Sequence, residues 1–284
     1  MSLSILNNIA AIYAQTNLNQ TQNSLQNTLT QLSSGSRINS GADDAAGLAL
    51  ADGLKANEAA LTQSATNATE GVGLLQTADG ALAQVTSLLN RAVTLATEAA
   101  NGTLNSSQVS SANQEYQNIL TEIGNIGSTT NYNGNAVFSA TATNIFVSDG
   151  TSSGSTTFSE NIGALTTASV GTTSAGAGED FTAAGVTTLT AASASNVLTS
   201  LTSAIQDVAY QRGNIGASIN QLNAASNVAS SENVNLTSAE NSVRATNYGQ
   251  ATSDLAKYQV LSQTGISALA QANSTQQEIL KLLQ

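Results

Sequence analysis

The 284-residue chain contains no cysteine, histidine, proline or tryptophan, and a single methionine. Without cysteine there is no disulfide scaffold and no thiolate metal site. Without histidine the commonest general base and metal ligand is gone, along with every HExxH zinc site. Catalysis would have to rest on carboxylates, Tyr, Lys or Ser, so the composition argues against an enzyme, and no cofactor is expected. At an ordinary frequency of about 5%, roughly fourteen prolines would be present. Their absence removes the strongest helix breaker and favours long helices. Basic residues are scarce too: seven Lys and Arg stand against eighteen Asp and Glu, a net charge of −11. That leaves no basic footprint for nucleic acid and argues against an anionic membrane surface. Only 9% of residues are charged, against about 25% in ordinary soluble domains. The polar surface is therefore Ser, Thr, Asn, Gln and Gly, which suits packing against copies of the same chain. No run of about 18 apolar residues is present. Residues 1–20, MSLSILNNIAAIYAQTNLNQ, lack a basic n-region and a sustained apolar h-region, which predicts a chain without a Sec signal peptide.

What the sequence does have is a seven-residue period. Leu54, Leu61, Ala68, Leu75, Leu82, Leu89 and Ala96 form one ladder, and Ala78, Val85, Ala92 and Ala99 a second. Steps of three and four alternate between them, as in an a/d seam. The pattern predicts one helix from about Ala42 to Ala100, roughly 90 Å long at 1.5 Å per residue. Asn101-Gly102 ends it. Gly71 and Gly73 each weaken it by about 1 kcal/mol relative to Ala. Val109, Ala112, Tyr116, Ile119, Ile123 and Ile126 predict a second helix over about Ser106–Gly127, and Asn131–Gly134 (NYNG) is a turn. From about Asn135 to Ala192 the chain is rich in Thr, Ser, Gly and Ala. There Ile145–Val147 and Thr156–Phe158 predict a short β-hairpin, followed by a loop around Gly171–Gly178. Leu201, Val208, Ile215, Leu222, Ala229, Leu236 and Val243 then form another ladder. It predicts a third long helix, from about Ser195 to Val243, paired with the first.

Each chain end carries a helical stripe with few charges. At the N-terminus it is Ile5, Ile9, Ile12, Leu18, Leu25, Leu29 and Leu32. At the C-terminus it is Leu255, Tyr258, Leu261, Leu269, Ile279, Leu280 and Leu283. Neither end can bury its stripe alone, so each needs a partner. The predicted fold is mainly α: long antiparallel coiled-coil-like helices, paired N- and C-terminal arms, and a small middle segment containing a β-hairpin. Three regions follow: 1–41 with 245–284 as terminal arms, 42–134 with 193–244 as a long-helix bundle, and 135–192 as a surface-exposed middle.

Residues 33–50, SSGSRINSGADDAAGLAL, join the first arm to the first long helix. Asp43 and Asp44 suggest an acid/base pair, but adjacent helical residues point about 100° apart. They read better as first-turn acids that complement the helix dipole, with Asn39 or Ser40 supplying a capping oxygen. GSRINSG matches no phosphate-loop pattern. Gly35 and Gly41 read as flexible points flanking Arg37. Asn101-Gly102-Thr103 matches the N-glycosylation acceptor pattern, a frequent chance match in a chain so rich in Asn, Ser and Thr.

Three segments carry a resemblance. LSSGSRINSGADDAAGLALAD (residues 32–52) resembles the N-terminal signature of bacterial flagellins. LLNRAVTLATEAANGTLN (residues 88–105), followed by QEYQNILTEIGNI and TTNYNG, resembles their next shared stretch. VLSQTGISALAQANSTQQEILKLL (residues 260–283) resembles their C-terminal signature. The resemblance implies a filament subunit that polymerises with itself, its terminal arms lining an inner tube and its inner helices forming an outer one. It also implies export through a type III flagellar apparatus with its chaperone, partnership with the filament cap and hook-associated proteins, and an extracellular place in the flagellum. Leu89, Arg91 and Glu115 match the motif by which an animal innate immune receptor reads many flagellins, while Thr94 stands where Glu is common, and Ser36 stands where Leu is common. Two other readings are a hook–filament junction protein, which has related terminal helices, and an adhesin displayed by residues 140–192.

Overall fold

The computed structural model describes residues 8–139, 141–151, 156–170, 179–182 and 185–282. Helices form where the apolar periodicity runs: α1 (Ile9–Ser34), α2 (Ala45–Ala100), α3 (Ser106–Thr129), α4 (Ala194–Arg244) and α5 (Tyr248–Leu282). Their many Thr residues would ordinarily disfavour a helix. Here the hydroxyls turn back on the preceding turn, as Thr62 does on the Glu58 carbonyl and Thr69 on that of Ala65. Each polar group is thereby satisfied without breaking the backbone ladder.

The chain divides into two compact units. Met1–Ala56 with Asn235–Gln284 forms a terminal unit, and Asn57–Val234 forms the other. In Asn57–Val234 the ladders lie where the heptads predict. Leu75, Leu82, Leu89 and Ala96 on α2 and Leu201, Val208, Ile215 and Leu222 on α4 are all buried in one core. The two helices run antiparallel there: Asp79 pairs with Arg212, and Glu58 and Thr62 accept from the Asn233 amide. On α3, Ala112, Tyr116, Ile119 and Ile123 join the same core. Asn105 caps α3 with a reciprocal Asn105–Gln108 pair, which satisfies two amide donors at once.

Among the described residues, the middle of the chain holds three antiparallel strand pairs: β1 (Asn131–Tyr132) with β2 (Asn135–Ala136), β3 (Thr143–Val147) with β4 (Thr156–Glu160), and β5 (Ser169–Val170) with β6 (Glu179–Asp180). The NYNG turn thus closes a hairpin, with Asn133 at φ 50° and Gly134 at φ 81°, the left-handed pair a tight two-residue connection requires. The expected hairpin is present and longer than its apolar cores, with Thr143 opposite Glu160 and Val147 opposite Thr156. The expected loop at Gly171–Gly178 lies outside the described residues.

The segment 135–192, expected at the surface, also contributes buried side chains: Val137, Phe138, Ile145, Ile162, Leu165, Val170, Phe181, Val186 and Leu189 lie in the core shared by α2, α3 and α4, while Phe146 is exposed. Its apolar residues are sparse and aperiodic, so sequence patterning misses the buried ones. Polar side chains of the helices fasten it by its backbone. The Tyr116 hydroxyl donates to the Val186 carbonyl, Asn113 accepts from the Leu189 amide, and the Ser64 hydroxyl both donates to the Ser148 carbonyl and accepts from its amide. Burial pushes the Tyr116 phenol up to about 12, so it acts as a neutral donor. Gly71, a weak point by propensity, lies under Ile145 of β3, where any Cβ would collide with the Ile145 Cδ1 and stand 3.1 Å from Leu222 Cδ1.

Candidate assembly surface and its connector

In the terminal unit α1 pairs with α5. The pair is antiparallel. Asn8 donates to the Ala272 carbonyl at one end, and Thr246 donates to the Gln31 carbonyl at the other. Between them, Gly265 lies so close to Leu18 that a Cβ would stand 3.2 Å from the Leu18 Cδ1. Leu18, Leu25 and Leu32 on α1, and Leu255 and Leu269 on α5, are half-buried along this seam.

The remaining predicted arm residues divide differently. Ile9, Ile12 and Leu29 on α1 and Leu261 on α5 are exposed. Ile5 and Leu283 lie outside the described residues, as does the side chain of Ile279. Sequence reading also passed over Tyr13, Val260 and Ile266, which are 67%, 65% and 50% exposed. Helical spacing could have found Tyr13, since it follows Ile9 by four. The arm pair thus carries an inner apolar seam and, outside it, further apolar side chains that are exposed. Residues 1–36 include no charged side chain, so on α1 no ion would lose its hydration if those side chains were covered.

The connector between α1 and α2 is built from hydrogen bonds. Gly35 ends α1 in the left-handed conformation at φ 72°, its N–H donating to the Gln31 carbonyl. A side chain there would also meet the Tyr248 hydroxyl at 2.9 Å. The next residues pair with the α4–α5 junction: Ser36 bridges Ala245, the Thr246 N–H donates to the Gly35 carbonyl, and the Arg37 N–H donates to the Arg244 carbonyl at 2.7 Å. The Arg37 guanidinium adds a bond to the Val243 carbonyl at 2.6 Å. It thereby satisfies a carbonyl that the end of α4 leaves open and sits at the negative end of the α4 dipole.

Asp43 and Asp44 have separate roles, and helix α2 begins later than the expected Ala42. Asp44 directly precedes the first helical residue, and its carboxylate accepts the Gly47 N–H at 2.9 Å, which is N-cap geometry. Asp43 turns the other way, accepting the N–H groups of Asn39 and Ser40 and the Ser40 hydroxyl. Those donors, Asn39 first, hold its carboxyl below the ordinary aspartate value. The capping oxygen therefore comes from Asp44 instead of Asn39 or Ser40. Gly41 has no left-handed φ. The glycine that matters is Gly47, since a side chain there would strike both the Asp44 carboxylate and the buried Ile38.

In the expected receptor motif, Leu89 is fully buried. Arg91 and Glu115 form a two-bonded ion pair at 2.7 and 3.1 Å on the surface, linking α2 to α3. The Glu115 bond raises the Arg91 value and lowers that of Glu115.

The sequence matches two family profiles: the bacterial flagellin N-terminal helical region over residues 5–143 and the bacterial flagellin C-terminal helical region over residues 198–283. The flagellin of Listeria innocua serovar 6a is 30% identical over 285 residues, covering 97% of this chain and 98% of that one. The flagellin of Halalkalibacterium halodurans is 30% identical over 283 residues, covering 98% and 99%. Flagellin 1 of Proteus mirabilis is 38% identical over 156 residues, which are 55% of this chain and 43% of that one. A crystal structure of Bacillus cereus flagellin aligns with a TM-score of 0.46 at 29% identity, covering 57% of this chain and 88% of that one.

Paired terminal helices with exposed apolar side chains, joined through a hydrogen-bonded connector to long heptad helices, define a helical structural protein. The chain belongs to the bacterial flagellins and is a structural subunit of the flagellar filament that serves motility. Flagellins form an extracellular filament. Among the described residues, no helix is long and apolar enough to cross a membrane.

Proposed function

We propose that the terminal arms complete their folding on polymerisation, and that Ile5, Ile9, Ile12, Leu18, Leu25, Leu29, Leu32, Leu255, Leu261, Leu269, Ile279 and Leu283 form the assembly interface. The observation that carries this reading is the set of exposed apolar side chains on the α1–α5 pair. Ordering a helix costs on the order of 1–2 kcal/mol per residue, and a fully buried Leu returns about 1.5–3 kcal/mol. The half-buried seam returns less than that for each Leu, so neighbouring copies must cover the exposed side chains. An uncharged α1 favours such burial.

The division of labour follows from the same reading: 1–41 with 245–284 forms the inner tube, 42–134 with 193–244 the outer one, and Gly35, Arg37, Gly41, Asp43 and Asp44 the joint between them. Arg91 and Glu115 offer the exposed part of an immune-receptor contact, with Leu89 supporting it from the core. Family membership supports export through a type III apparatus with its chaperone, without a Sec signal, followed by assembly under a cap on hook-associated proteins. It also supports a protein without catalytic activity. Deleting residues 255–284 and seeding with filament fragments tests the assembly reading: elongation is expected to stop, and normal elongation would sink it.

A further inference from the structure

We infer that Asn101 is a site of self-modification, at which the Gly102 backbone nitrogen displaces ammonia from the Asn101 carboxamide. In this step the Gly102 N–H loses its proton and the nitrogen bonds to Cγ. The Cγ–Nδ2 bond breaks, ammonia departs, and a five-membered imide remains. Water then opens the imide at either carbonyl, leaving aspartate or isoaspartate. No oxidant, reductant or second protein is involved.

Glycine after asparagine leaves the attacking nitrogen unshielded, because no Cβ flanks it. The chain has two such pairs, Asn101-Gly102 and Asn133-Gly134, and the structure separates them. Asn133 is held on both sides. Asn131 pairs with Ala136, Tyr132 pairs with Asn135, and the Val137 N–H donates to the Thr130 carbonyl at 3.1 Å. Closing an imide ring requires rotation of the backbone after the asparagine, and that ladder opposes it.

Asn101 is held on one side only, by a long 3.3 Å bond from its N–H to the Glu98 carbonyl just past the end of α2. Gly102, at φ 66°, has open space where a Cβ would stand, as does Gly134, so the difference between the two sites lies in the backbone bonds around them. The Asn101 amide donates to the Thr103 hydroxyl at 3.2 Å. A bond from residue 101 to residue 103 folds the carboxamide over the intervening peptide, whose nitrogen is the attacking atom. It also sets a hydroxyl beside the nitrogen that must leave as ammonia. Asn101, Gly102 and Thr103 are all exposed, so water reaches the imide.

The product changes both charge and backbone. A carboxylate appears at the negative end of the α2 dipole, near Glu98, where it is unfavourable. Isoaspartate adds a methylene to the short link between α2 and the capped start of α3. The filament subunit thereby acquires an age-dependent charge at one defined turn.

The test incubates the purified full-length protein in warm, mildly alkaline buffer and maps its peptides by mass spectrometry, with an isoaspartyl methyl-acceptor assay. The peptide containing Asn101 is expected to convert to aspartate and isoaspartate several-fold faster than the one containing Asn133. Thr103→Val is expected to slow that conversion several-fold while leaving Asn133 unchanged. Equal or faster conversion at Asn133, an unaltered Asn101, or an unchanged rate in Thr103→Val would overturn the inference.

Discussion

The Arg37 guanidinium donates to the Val243 carbonyl at 2.6 Å, tying the chain that leaves α1 to the chain that leaves α4. The backbone beside it repeats the tie, with the Arg37 N–H on the Arg244 carbonyl and the Thr246 N–H on the Gly35 carbonyl. One side chain thus serves as helix cap and as cross-link. Arg37→Ala is expected to lower the unfolding free energy of the terminal unit by about 1 kcal/mol, the usual net worth of one hydrogen bond. Arg37→Lys, which keeps the charge and loses the planar fork, should recover less than half. Depolymerisation temperature of reassembled filaments is the readout.

Gly35 combines two constraints, a left-handed φ and the nearby Tyr248 hydroxyl. Gly35→Ala is expected to destabilise by about 1–2 kcal/mol from the conformation alone, with the contact adding to it. Adding Tyr248→Phe removes the contact and leaves the conformational part. A double-mutant cycle in thermal unfolding should therefore show partial rescue.

Gly71→Ala drives a methyl into Ile145 on a shared buried surface. The expected loss is about 1–3 kcal/mol, as for other overpacked cores, although alanine is the better helix former. Shortening the obstacle with Ile145→Val should restore part of it. Hydrogen exchange in β3 and β4 would report the displaced hairpin.

Asp43 has a lowered carboxyl value because Asn39 and Ser40 donate to it. The stabilisation it lends is present above the unfolded-state aspartate value and is lost as pH falls through the lower folded value. The amide resonances of Asn39 and Ser40 are expected to titrate on acidification, at a pH below the ordinary aspartate midpoint. Asp43→Asn should abolish that titration.

Val260 and Ile266 are exposed on α5. Val260→Asp or Ile266→Asp is expected to block seeded elongation, since a buried unpaired charge costs several kcal/mol. Circular dichroism of the monomer should stay unchanged. Polymerisation at the ordinary rate would show that this face is left open in the filament.

The sequence by itself determined the long helices. The heptads of α2 and α4 repeat so regularly, with no proline to interrupt them, that burial follows from periodicity. It also determined that the ends need partners, because a lone helix cannot bury a stripe. Which apolar residues of each arm meet α1 or α5, and which remain open, was decided by the tertiary structure. Both sets are of similar residues, and the close approach of Leu18 to Gly265, with the half-burial of Leu25, Leu32, Leu255 and Leu269, separates them. The same holds for the connector. Two adjacent aspartates read alike in one dimension, yet one folds back onto Asn39 while the other caps α2. The burial of Val137, Phe138, Ile145 and the other apolar side chains that the middle segment adds to the core was beyond sequence reading for a related reason. A segment without period buries its apolar side chains by long-range contacts, and those exist only once the helices beneath it are in place.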